Sequence, residues 1–115
     1  GVGGWCMMVG MNKIELFLPL PGKTEAMNEY FRSSGVWYLN GLPTGPELPS
    51  EDLSEAELLE IAFEVAKDKV FALTYTYLGE DDVYDVSNSS PFIDQFYDNK
   101  GEFIGWEFEF DVYQR

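Results

Sequence analysis

The chain has no histidine, one cysteine and only seven lysines and arginines among its 115 residues. Without histidine it lacks the commonest general base and the commonest metal ligand. Cys6 alone excludes an intrachain disulfide and a cysteine-rich zinc site. The seven cations face 21 carboxylates, for a formal charge of −14. That balance opposes direct contact with nucleic acid or an anionic membrane, where cationic side chains supply the attraction. No apolar run approaches the roughly 18 residues of a transmembrane helix. These absences predict a protein that is not an enzyme, carries no cofactor and acts through the surface it presents.

A 45% hydrophobic and 17% aromatic composition is too rich for a disordered acidic tail. One domain is expected at this length. The glycine-rich residues 1–10 lack a basic n-region, so they do not read as a signal peptide. They are set apart as an extension or cloning remnant, leaving residues 11–115 as one acidic domain. The lone cysteine fits a cytoplasmic location. Residues 1–46 carry three acids and three bases, so the whole net charge lies in residues 47–115. The loop Gly41-Leu42-Pro43-Thr44-Gly45-Pro46 marks the change and reads as internal, because neither half is large enough to be secure alone.

Hydrophobic periodicity predicts a strand over Lys13–Leu20, a helix over Thr24–Ser33 ended by Ser33-Ser34-Gly35, and a short strand over Val36–Leu39. Ser54-Glu55-Ala56-Glu57 has the form of a capping box, with Leu53 and Leu58 placed as a hydrophobic staple. The helix it opens is expected to run to about Asp68, with Leu58, Ile61, Ala62, Val65 and Ala66 on its apolar face. Lys69–Leu78, rich in β-branched and aromatic residues, reads as a strand. Gly79-Glu80-Asp81-Asp82 reads as a turn, Val83–Val86 as a strand and Ser87-Asn88-Ser89-Ser90 as a loop. Pro91–Tyr97 and Glu102–Tyr113 read as a hairpin turning at Gly101, a helix from Pro91 being the competing reading. In the last strand Trp106, Phe108, Phe110 and Val112 alternate with Glu107, Glu109 and Asp111. The expected fold is α+β: an antiparallel sheet with two helices packed on one face.

The acids fall in rows. Glu57, Glu60, Glu64 and Asp68 lie along one side of a helix, roughly 4.5–6 Å apart per step. Glu107, Glu109 and Asp111 form a second row, roughly 6.6 Å apart. Glu80, Asp81, Asp82 and Asp85 cluster at a hairpin tip, and Glu47, Glu51 and Asp52 precede the helix. Acids in a first helical turn complement the dipole, but Asp68 sits at the wrong end for that. Solvated faces of a soluble domain, such as one from a salt-adapted cell, are the plain explanation. The functional one is that carboxylates at this spacing imitate a phosphate backbone and occupy the basic groove of a DNA-binding enzyme. The predicted partner-binding residues are Glu47, Glu51, Asp52, Glu57, Glu60, Glu64, Glu80, Asp81, Asp82 and Asp85. Glu80–Asp85 lacks the alternating order of an EF-hand loop, so no metal site is assigned.

Thr74-Tyr75-Thr76-Tyr77, a polar loop, Pro91-Phe92-Ile93 and then Ile104-Gly105-Trp106 resemble the strand order of staphylococcal-type uracil-DNA glycosylase inhibitors. The resemblance covers 35–40 residues. It implies a small acidic α+β protein that mimics DNA and plugs the glycosylase groove. It also implies an acidic motif, Glu-Ser-Ile in the phage type, which this sequence lacks; Glu47-Leu48-Pro49-Ser50-Glu51 is the nearest acidic stretch. The family's apolar pocket has Leu73, Tyr75, Phe92 and Trp106 as candidate lining. An immunity protein against a nuclease toxin, or an anti-restriction or anti-CRISPR mimic, shares the same acidic features.

Overall fold

The computed structural model describes residues 13–35, 41–79 and 83–115. Their elements are β1 (Lys13–Pro19), α1 (Thr24–Ser34), α2 (Glu55–Leu78), β2 (Tyr84–Tyr97) and β3 (Phe103–Gln114). The expected α+β class holds: three antiparallel strands in the order β1-β3-β2, with two helices. The expected segments 1–10 and Val36–Leu39 lie outside the described residues, as do Glu80, Asp81 and Asp82. Among the described residues no helix is long and apolar enough to cross a membrane.

The predicted hairpin forms β2 and β3, and the competing helix from Pro91 does not form. Asp98 shapes its turn: one carboxylate oxygen accepts from the amides of Lys100 and Glu102, each at 2.9 Å. Ser87–Ser90 is not a separate loop but an irregularity inside β2. The register jumps there from Ser87↔Asp111 to Phe92↔Glu109.

Lys69–Leu78 is helical, not a strand. The β-branched and aromatic content of that stretch is outweighed by tertiary packing. Leu58, Ala62, Ala66, Val70 and Thr74 are all buried at steps of four, so one stripe runs unbroken past Asp68. Gly79 ends the helix at φ +70°, the left-handed conformation that glycine adopts without a Cβ penalty, and its amide donates to the Tyr75 carbonyl. The capping box stands as predicted, with Glu57 N–H to Ser54 Oγ at 3.2 Å and Ser54 N–H to Glu57 Oε1 at 2.9 Å. Thr74–Tyr77, one of the three segments carrying the family resemblance, therefore belongs to a helix. Pro91–Ile93 and Ile104–Trp106 do lie on strands.

The two helices do not share a face. Leu16, Leu18, Phe108, Phe110 and Val112 form the main core with the inner stripe of α2. Phe17 alternates with Leu16 and Leu18, so it points to the other side of the sheet. There it joins Met27 and Phe31 of α1 and Ile104 in a second cluster, with Phe96 and Tyr30 at its margin. A shift of register between Phe96 and Tyr97 brings Ile104 to that side. Residues Leu16–Pro19 are thus buried on both faces. The Gly41–Pro46 loop covers the outer edge of β1: the Gly45 amide donates to the Phe17 carbonyl at 2.7 Å.

Gly105 lets these layers meet. A Cβ at this position would lie 2.5 Å from the Leu18 carbonyl oxygen and 2.5 Å from Met27 Cε. The backbone oxygen cannot yield as a side chain would. Gly105→Ala is expected to cost about 1–3 kcal/mol, read as a lower urea midpoint at unchanged m-value. An unchanged midpoint would mean that β1 and α1 do not approach this closely.

Candidate acidic interface

The predicted helical row is real and faces outward. Glu57, Glu60, Glu64 and Asp68 are all exposed on α2. At 3.6 residues per turn they fall within an arc of about 80°. Their surroundings differ. Glu57 accepts the Ser54 amide, which holds its carboxyl below the ordinary glutamate value. Glu64 pairs with Lys67 at 2.7 Å. Glu60 and Asp68 have no ion pair or side-chain hydrogen bond among the described residues, and the same is true of exposed Glu51, Asp52 and Glu55.

Other predicted residues have structural employment. Glu47 accepts from the Thr24 hydroxyl at 3.0 Å. Asp85 receives both arms of the Arg115 guanidinium at 2.7 Å, which lowers its pKa and pins the end of β3. Asp85 is therefore a clamp and not an open carboxylate. Among the described residues no hydrogen bond or ion pair joins it to the α2 row.

The second row is more crowded than the sequence implied. Strand pairing sets Glu15 directly opposite Glu109, and Asp94 directly opposite Glu107. Carboxylate oxygens of Glu15, Glu107 and Glu109 lie within 4.8 Å of one another. Lys13 reaches Glu109 at 4.0 Å, the one ion pair to this group among the described residues. Burial, then the charges of Glu15, Glu109 and Asp94, raises the Glu107 pKa above its ordinary 4.5. Exposed acidic groups of this kind are common without an ion, and no metal site is assigned to them. Glu15 and Asp94 were missed in the sequence because only the register of three strands brings them to this row.

The two acidic surfaces are back to back. α2 covers one side of the sheet and turns its row away from it, while Glu15, Asp94, Glu107 and Glu109 line the other side. A flat partner can engage one or the other. Leu73, Tyr75, Phe92 and Trp106 do not form a common pocket. Trp106 packs against the core under α2, Tyr75 is exposed on the outer side of that helix, and Phe92 leaves the opposite sheet face beside Glu109. Among the described residues Lys13, Lys23, Arg32, Lys67 and Arg115 are already in intramolecular ion pairs.

Like charges placed directly opposite on paired strands destabilise by roughly 0.2–1 kcal/mol. A carboxyl whose folded pKa is raised binds more protons folded than unfolded, so stability falls as pH rises through its titration. Charged Glu107 thus works against the fold at neutral pH. Glu107→Gln is expected to stabilise by a few tenths to about 1 kcal/mol at neutral pH, with the gain fading as pH falls toward 4.5 and gone well below it. Thermal melts at both pH values test this, and equal stabilisation at both would sink it. No family model, curated protein or solved structure matches the chain, so its functional reading rests on its own geometry.

Proposed function

We propose that this protein is an acidic DNA mimic that inhibits a DNA-binding enzyme by occupying its basic groove, with uracil-DNA glycosylase as the first target. The observation that carries this reading is the outer side of α2. Glu60 and Asp68 stand there exposed and unpaired in one row with Glu57 and Glu64, and exposed Glu51, Asp52 and Glu55 lie just before or at the start of the same helix. A convex acidic ridge complements a concave basic groove. A helix that is already folded needs no backbone ordering when the partner arrives, which favours affinity over what a flexible acidic tail provides. The choice of target leans on the resemblance at Pro91–Ile93 and Ile104–Trp106. The mode of binding leans on the ridge.

The energetics follow those of DNA with the roles exchanged. A partner's lysines and arginines release their own anions, and the ridge its cations, so affinity falls as salt rises. Charge steering also makes association fast at low salt.

Titrating the protein into a uracil-excision assay is expected to abolish activity near one equivalent. Full activity at large excess would remove the glycosylase as target. The double change Glu60→Lys with Glu64→Lys is expected to weaken binding about tenfold or more, since each 1.4 kcal/mol is a decade, with an unchanged circular dichroism spectrum. Undiminished inhibition by that folded variant would remove the α2 ridge as the contact surface.

A further inference from the structure

The acidic stripe of α2 does not stop at Asp68. Phe71 and Tyr75 continue it at steps of three and four, within the same arc of about 80°. They are 52% and 61% exposed, and their rings stack at 6.3 Å between centroids with planes 13° apart. Two adjacent bare rings on a helix mark a contact surface more than they serve solubility. They cover no core, for the buried stripe lies on the other side of α2.

One turn earlier the helix shows what such a grouping holds. Lys67 pairs with Glu64 at 2.7 Å and places its Nζ 4.7 Å above the Phe63 ring. Acid, cation and ring are all supplied there by the chain itself. At Asp68, Phe71 and Tyr75 the acid and the rings recur, and among the described residues no cation is placed with them. The missing member defines the occupant. A planar, weakly hydrated guanidinium stacks on an aromatic face while forking to a carboxylate. An ammonium meets the carboxylate but matches a stacked pair of rings less well.

We propose that Asp68, Phe71 and Tyr75 form an arginine-accepting patch at the end of the α2 ridge, and that the basic protein partner docks there through an arginine-bearing segment. The inference rests on the reading of the ridge as a surface for a basic partner, and it adds which cation is selected and where.

The test uses two helical peptides of about 20 residues, identical except that one carries arginine and the other lysine on its basic face. Binding of each to the full chain is followed by fluorescence anisotropy at several salt concentrations. The arginine peptide is expected to bind about threefold to tenfold more tightly. Phe71→Leu with Tyr75→Leu keeps apolar bulk and helix propensity at two exposed sites while removing both rings. It is expected to erase the arginine preference and leave the salt dependence in place. Equal affinity of the two peptides, no binding of the arginine peptide, or a preference that survives in the leucine variant would overturn the inference. Loss of the ridge itself reads differently: Glu60→Lys with Glu64→Lys would then leave both peptides unaffected, whatever the rings do.

Discussion

The alternation along β3 is the constraint on which the rest of the molecule depends. This strand is hydrogen-bonded on both edges, so neither of its faces can be chosen independently by its neighbours. Phe108, Phe110 and Val112 must be buried on one side, and Glu107, Glu109 and Asp111 must stay within reach of water on the other. One face therefore demands a cover and the other resists one. α2 supplies the cover, and its fully buried Ala62 and Ala66 let it lie close to the sheet. α1 reaches the opposite side only where Phe17, Phe96 and Ile104 replace the acids. The shift of register that moves Ile104 there makes this second cluster possible.

This division explains why the acids end on two surfaces. The sheet-face carboxylates are the complement of the apolar row on β3, and they are crowded because strands on both sides contribute one more. The α2 row is the complement of the buried stripe on that helix. The first is flat, partly shielded and electrostatically strained. The second is convex, exposed and carried by a helix that is capped at both ends. A partner with a basic groove meets the second more readily, because the carboxylates stand proud of the body and lose less hydration on approach.

The cations are few and they are placed to finish structure. Arg32 gathers Glu25 and Glu29 on α1, Lys23 ties the start of α1 to Glu102 beside the hairpin turn, and Arg115 closes β3 on Asp85. The even charge of residues 1–46 is thus neutralised largely within α1 and across to the hairpin. Among the described residues, carboxylates without an ion pair remain on and before α2 and, on the other side of the sheet, at Glu15, Asp94 and Glu107. The aromatic end of that helix shares the same outward side, which gives the surface both a charged part and a part that can stack.

The sequence alone determined the local features whose causes are local. The capping box at Ser54, the alternation of β3, the turn before Gly101, the α+β class and the outward helical row all follow from neighbours within a few residues. The extent of α2 did not, because β-branched and aromatic residues at 70–77 favour a strand until Ala66, Val70 and Thr74 find a sheet to pack on. The separation of the helices onto opposite faces required knowing that Phe17 and Ile104 meet across β1 and β3. Asp85 looked free until Arg115, 30 residues away, closed on it. Glu15 and Asp94 joined the acidic row only through strand register. Pairing across a sheet depends on which residues lie opposite one another, and the chain specifies that only when all three strands and both helices are in place.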